Sequence, residues 1–364
     1  MKELFLDANA HVPLSEKALS AYADFISSRA GHGHPLSPSA IGRDAAMKLE
    51  DARSRIAESI GAASPSNIVI TSTCTQACEW ACKILRESNS CWENAFISPT
   101  EHPAMSQSFD AYMAVYRNKR ELAVDKDGVL KNQNIPKGSR VCCIHVQNET
   151  GIIQPLEKFN DSFLLSDLSQ TIGKVPFKVS DYNIDIGVFA GHKFGGFMAG
   201  FIYIKDTDLW RSFGLGSRYF LDRPGTPDVA SVVGTAVALE EALSTLEYRR
   251  EKMRNFQMTL EKSLKELGFE VIGSDSNRSP NTTFVRTPFP GGGMDLLLKL
   301  SESKIYVGLG SACGSMYTGG SPLMQKLGRP SNGEDYLRIS TFGQYDSSDA
   351  LYLADRLSKI YLKK

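Results

Sequence analysis

The chain has 364 residues, 41 Lys plus Arg balanced by 41 Asp plus Glu, and 42% hydrophobic residues. A neutral formal charge argues against a chain whose main task is to coat nucleic acid or an anionic membrane, and no run reaches the roughly 18 apolar residues that span a bilayer. The opening Met1-Lys2-Glu3-Leu4-Phe5-Leu6-Asp7 has neither a long apolar run nor a small-residue cleavage site, so no signal peptide is expected. The expected location is cytoplasmic, with the seven cysteines mostly reduced.

In chain order, the β-branched run Ile68–Thr71 reads as a strand and residues 75–85 as a helix. Cys74, Cys78 and Cys82 follow i, i+4, i+8 spacing there and read as buried small residues on one helix face rather than as metal ligands. Residues 140–146 form a predicted buried strand with Cys142 and Cys143 in the core, followed by strands at Phe163–Asp167, 184–189 and 201–204. Short apolar strands alternating with helices imply a parallel or mixed sheet covered on both faces. Residues 229–267 carry one long helical pattern, apolar at Leu239, Leu243 and Leu246 and charged after Glu247, suited to a helix bridging two domains. From Phe269 onward the pattern is α+β and ends in a predicted helix over 348–362.

Four features carry chemistry. Lys193, in Ala190-Gly191-His192-Lys193 after a strand and before Gly195-Gly196, is placed like a Schiff-base lysine for pyridoxal 5'-phosphate, although a surface lysine fits the same spacing. Asp167 closes a strand, where a carboxylate can hold the pyridinium proton or cap a helix. Thr71-Ser72-Thr73-Cys74-Thr75 joins a strand to a helix and offers amides and hydroxyls to a phosphate dianion, or a plain helix cap. Cys313, in Gly308-Leu309-Gly310-Ser311-Ala312-Cys313-Gly314-Ser315, sits among Gly, Ser and Ala, a loop setting in which a thiol can be exposed and can move.

Taken in order, Leu6-Asp7, Gly33-His34-Pro35, Thr100-Glu101-His102, residues 145–151, Asp167-Leu168-Ser169-Gln170-Thr171-Ile172-Gly173-Lys174, Gly191-His192-Lys193, Arg223-Pro224-Gly225-Thr226, Ser311-Ala312-Cys313 and Leu337-Arg338-Ile339-Ser340 form a recognisable set. Across nearly its whole length the chain resembles the NifS/IscS-like cysteine desulfurases of the class V aminotransferase family. The resemblance implies the fold type I of pyridoxal-phosphate enzymes: an α/β large domain with a mixed seven-stranded sheet (residues 14–246) and a small α+β domain (1–13 and 247–364) carrying the cysteine loop.

It also implies roles. Lys193 would hold the cofactor and move the substrate α-proton, Asp167 would face the pyridine nitrogen, and Gln170 the phenolate oxygen. His102 would stack on the ring and serve as acid–base. Thr75, Cys74 and His192 would line the phosphate site, with Thr226 reaching in from the partner of a homodimer. Asn148 would contact cofactor and substrate, and Arg338 would grip the substrate carboxylate as a fork. His145 would only pack. L-cysteine would give L-alanine and a persulfide on Cys313, passed to a sulfur-acceptor protein in iron–sulfur cluster assembly or in a dedicated tRNA or DNA sulfur-modification pathway. The short stretch after Arg338 favours the dedicated pathway. No membrane or direct nucleic-acid contact is expected.

The chain departs from the family pattern at Ala190, where a phosphate-contacting Ser is usual, at His34, at His11-Val12 and at Gly214-Leu215-Gly216-Ser217-Arg218. Competing readings are a selenocysteine lyase or another class V reaction, and a degenerate binding scaffold. An aminotransferase would have no need of Cys313.

Overall fold

The computed structural model describes residues 2–88, 94–116, 118–211, 226–310, 321–329 and 335–361. Cys313 lies outside the described residues, as do Arg223-Pro224-Gly225 and the departure at 214–218. In chain order the elements are β1 (Leu4–Phe5), α1 (Glu16–Ser27), α2 (Ala40–Ile60), β2 (Ile68–Thr71), α3 (Cys74–Glu87), β3 (Asn94–Ile97), α4 (Pro103–Met113), β4 (Asn118–Glu121), β5 (Arg140–Cys142), β6 (Phe163–Asp167), β7 (Ile186–Ala190), β8 (Gly200–Ile204), α5 (Thr207–Arg211), α6 (Val229–Ser244), α7 (Leu246–Glu266), β9 (Glu270–Val271), β10 (Thr282–Arg286), α8 (Gly292–Glu302), β11 (Ile305–Tyr306), α9 (Pro322–Lys326), β12 (Tyr336–Ser340) and α10 (Ser347–Tyr361).

Seven strands make one mixed sheet in the order β2-β8-β7-β6-β5-β3-β4. β3 to β7 pair in parallel, and β8 lies antiparallel to both β7 and β2. The C-terminal ends of β2, β5, β6 and β7 therefore meet at one edge, which is where open α/β sheets bind ligands.

The near-continuous apolar runs of these strands follow from burial on both faces. Side chains alternate with the pleat. Ile70, Leu164, Phe189 and Phe201 pack with α1, α2 and α6, and Val69, Leu165, Val188 and Ile202 pack with α3 and α4.

A second core joins Leu4 and Leu6 to side chains of α7, α8, β10, β12 and α10. β1 pairs in parallel with β11, and β10 lies between β12 and β9 in an antiparallel sheet. The first residues of the chain are thus packed with its last third.

Two sequence expectations are corrected. The predicted strand over 140–146 stops at Cys142, because the amide of Ile144 turns to the Glu101 carboxylate instead of a neighbouring strand. The single helix over 229–267 is two helices meeting at 67°. Thr245 is the break: its hydroxyl bonds back to the Glu241 carbonyl at 2.7 Å, sharing that acceptor with its own amide at 3.2 Å, a back-bond that bends helices. The break also separates two burials, since α6 packs with the large-sheet core and α7 with the second.

Arg249 stabilises that junction. Its Nε donates to Thr245 Oγ1 (3.0 Å), Nη2 donates to the carbonyls of Gly173 (2.8 Å) and Ala242, and the guanidinium lies 4.0 Å from the centroid of the Phe342 ring. Burial pulls its pKa down to about 10. Gly343 is the necessary neighbour. Its φ is +90°, and a Cβ there would stand 2.6 Å from Arg249 Cβ. Arg249→Ala is expected to cost about 2–4 kcal/mol in urea unfolding, with Arg249→Lys recovering less than half, because a point ammonium cannot reproduce the planar fork.

Candidate active site

At the strand edge a cavity of about 200 Å³ opens between the sheet, the N-terminal segment and β12; its walls include Asn9, Thr73, Cys74, Thr75, His102, Asn148, Asp167, Gln170, Ala190, His192, Lys193 and Arg338. Every described candidate except Thr226 therefore meets there. Thr226 occupies a neighbouring cleft with Thr71 and Ser72, separated by Met198, which walls both. Its Oγ1 is 2.9 Å from Nε2 of His34, the residue at one of the sequence departures.

Each wall residue is placed by an element end. Asp167 is the last residue of β6 and accepts the Ser169 amide at 2.9 Å. Lys193 follows β7 through a short 3₁₀ turn. Its ammonium donates to the carbonyls of Asn9 and Ala10, each at 2.8 Å. Burial, then the Arg338 charge, pulls its pKa down to about 8. A lysine so tuned supplies neutral amine near neutrality, as Schiff-base chemistry requires.

α3 begins at the tip of β2, with Thr73 as N-cap accepting from the Gln76 amide. Of the two expectations for Cys74, a buried core residue and a lining residue of the phosphate site, the first is corrected. Cys74 opens α3 facing the cavity, half-buried, with Sγ 3.3 Å from Ser169 Oγ. One and two turns on, Cys78 and Cys82 are buried as expected. Ser72 is exposed, and its amide is taken by the Gln76 side chain, so of the proposed phosphate cup only Thr73, Cys74 and Thr75 face the cavity.

The imidazoles are neutral. His102 caps α4, its Nδ1 accepting the Ala104 amide at 3.1 Å, which leaves the proton on Nε2. Burial lowers its pKa, partly opposed by Asp167. Burial and Lys193 push His192 down to about 3, and His11 stacks on it with ring centroids 5.7 Å apart. His145 packs against Phe177 and Tyr182 behind the sheet edge, and burial pulls it down to about 4.

Arg338 is buried in β12. Nη2 donates to Asp7 Oδ1 at 2.7 Å and Nη1 to the Asn148 carbonyl at 3.2 Å. Nε, also buried, has no partner among the described residues. A buried guanidinium in a cavity wall is a place for an anion.

Four residues with no assigned role in the sequence reading prove structural to the site. Asn9 donates to Asn148 O (3.1 Å) and Thr282 Oγ1 (2.8 Å) and accepts from Gln170 Nε2 (2.9 Å) and Lys174 Nζ (3.1 Å). Lys174, fully buried, also donates to Gln170 Oε1 and so fixes which way that amide points. Burial, with Lys193 and Arg338 nearby, pushes Lys174 well below the usual lysine range. Burial beside Asp167 raises the Glu101 carboxyl, and burial raises that of Glu149. Only the stretches Glu101-His102, Asn148-Glu149 and Gln170 to Lys174 in the motif set hinted at three of them, and nothing in the sequence singled out Asn9.

The Lys193 amine reacts only when unprotonated, so its reactivity should rise as pH climbs through about 8 and then level off, whereas an exposed lysine keeps gaining past about pH 10. Borohydride-trapped labelling of Lys193 by a small aldehyde, mapped by mass spectrometry across pH, reads this directly. Arg338→Leu should shift the midpoint upward, because a cation that disfavours the ammonium is gone.

Comparison with known proteins gives the family. A cysteine desulfurase IscS from Dictyoglomus turgidum is 27% identical over 381 aligned positions, covering 100% of this chain and 95% of the relative. The cysteine desulfurase NifS from Azotobacter vinelandii is 27% identical and covers 91% and 85%. A solved NifS-like protein superposes with a TM-score of 0.86 at 25% identity over the full length of both chains. The family model "Aminotransferase class-V" matches residues 4–352, almost the entire span of elements described above, and the chain is a member of that family of pyridoxal-phosphate-dependent enzymes.

Proposed function

We propose that this protein is a cysteine desulfurase that binds pyridoxal phosphate in the strand-edge cavity and moves sulfur from L-cysteine to Cys313. The observation that carries the reading is the convergence of Lys193, Asp167, His102 and Arg338 on one cavity. The donor set fits the cofactor. An amine of lowered basicity suits its aldehyde, a carboxylate at a strand end suits the ring nitrogen, a flat neutral imidazole suits the ring face, and the first turn of α3 with Thr75 suits the phosphate. Ala190 adds only a methyl group to that wall.

When bound, the cofactor supplies an electron sink that acidifies the α-carbon of an attached amino acid. The chain's own groups do the rest. Lys193, neutral near pH 8, receives the α-proton. Gln170 has one amide hydrogen on Asn9 O and the other available to the ring hydroxyl. Arg338 and Asn148 orient the substrate carboxylate. The thiolate of Cys313 attacks the substrate sulfur. The Cβ–S bond breaks with its electron pair left on carbon, an S–S bond forms, and protonation at carbon completes alanine.

The same reading makes the protein a cytoplasmic homodimer with Thr226 facing the partner's site, delivering sulfur to an acceptor protein. Exposed apolar side chains on α1 and α2, namely Leu19, Ile26 and Met47, support a covered face there.

The test is alanine and sulfide production from L-cysteine with a reductant, together with the absorbance of the loaded protein. Wild type should be yellow and make both products. Cys313→Ala should lose at least about 100-fold in both, and Lys193→Ala should make neither. A Cys313→Ala enzyme as active as wild type, or a protein that stays colourless with added pyridoxal phosphate, would overturn the proposal.

A further inference from the structure

Resting on the desulfurase reading, one buried carboxylate acquires a role that the catalytic groups leave open. Glu149 follows Asn148, and its Oε2 accepts the hydroxyl of Ser321 at 2.7 Å. The same oxygen lies against Gly310, where a Cβ would stand only 2.8 Å away. All three residues are buried. Gly310 and Ser321 are the residues immediately before and after segment 311–320, which contains Cys313.

Both ends are held from the other side as well. On the first, Gly308 exchanges backbone hydrogen bonds with Arg338 (2.9 and 2.6 Å). On the second, Ser321 caps α9 by accepting the Met324 amide at 3.2 Å. Glu149 itself is fixed by its amide, which donates to Gln147 Oε1 at 2.6 Å, and the next carbonyl back, that of Asn148, accepts from Arg338 and Asn9. The carboxylate therefore joins the two ends of the cysteine segment to the side chains assigned to the substrate carboxylate.

We propose that Glu149 is a positioning residue for Cys313: through Ser321 and Gly310 it sets where both ends of segment 311–320 start, relative to Asn148 and Arg338, and so aims the thiol at the sulfur of the bound substrate. A side chain at Gly310 would press on this carboxylate and displace it. Burial favours a Glu149 that holds its proton more tightly than an exposed glutamate. A glutamine, which keeps an acceptor oxygen in the same shape, should then replace it better than alanine does.

The experiment compares wild type, Glu149→Ala, Ser321→Ala and Glu149→Gln. The loaded enzymes are read for Cys313 persulfide by mass spectrometry in a single turnover, and for L-cysteine binding by the absorbance change of the cofactor. Unloaded proteins are read for the alkylation rate of Cys313 by iodoacetamide. Both alanine variants should slow persulfide formation by at least about tenfold, while the L-cysteine concentration for the half-maximal absorbance change stays within about twofold, since misplacing a reacting atom harms the step and not the binding. Alkylation of Cys313 should shift by at least about threefold in the same variants. Glu149→Gln should recover most of the rate lost in Glu149→Ala.

Persulfide formation at the wild-type rate in both alanine variants overturns the inference and leaves the desulfurase reading standing. So does a parallel fall in persulfide formation and L-cysteine binding, which marks general damage to the site. A wild type that forms no persulfide overturns both. Should Glu149→Ala not fold, Ser321→Ala removes a single hydroxyl and decides the matter alone.

Discussion

The site depends on one buried side chain, Asn9. Its amide donates to Ser340 Oγ, its carbonyl accepts from Gln170 and Lys193, its side-chain oxygen accepts from Lys174 and Asn281, and its side-chain nitrogen donates to Asn148 O and Thr282 Oγ1. A buried amide must satisfy its donors and acceptors or destabilise the fold. Here the partners that satisfy it come from the tips of the large sheet and from β10 and β12 at once. Removing any one partner leaves others under-satisfied, which makes the polar knot a single unit rather than a sum of contacts.

Charge is managed in the same place by neutralisation more than by pairing. Among the described residues Lys174 donates to neutral oxygens only, and it loses basicity to burial. His102 and His192 are held neutral, and Glu101 and Glu149 are pushed toward the protonated form. Arg338, with Asp7 at its side, keeps an ion pair at the cavity wall. Among the described residues the cavity wall carries one carboxylate, Asp167, beside that guanidinium and the Lys193 amine, and the low polarity of the buried setting lets these groups act at short range with little screening. An incoming carboxylate or phosphate meets the two basic groups there.

Much of this was legible beforehand, for physical reasons. Strands β2, β6, β7 and β8 announce themselves because both faces are buried and every position must be apolar. Asp167 and Lys193 stand out because a charged residue directly after such a run must either face a cavity or break the sheet edge. The bend at Thr245 was not legible. No Gly or Pro marks it, and its cause is a hydroxyl bonding to Glu241 and an arginine reaching Gly173, 76 positions away. For Cys74 the i, i+4, i+8 spacing misled, since it says which side chains share a face and not what that face meets; the strand-to-helix junction and the resemblance pointed to the cavity instead. Asn9 shows the same limit: its partners lie 139 to 331 positions along the chain, and local patterning carries no trace of them.

The pairing of β1 with β11, and of Leu6 and Ala8 with Ser340, has a consequence for the order in which the molecule comes into being. The residues that receive the Lys193 amine are made before the large sheet, and the strand that holds them, 331 positions on, is made after it. The large sheet can assemble while synthesis is under way, but its ligand edge stays open on one side until β12 has been made. Closing so long a loop costs more chain entropy than local pairing does, and long-range contacts form late. The reactive lysine is therefore kept from its final setting until β12 is in place, and a chain that has made only the large sheet holds the lysine without the setting that tunes it.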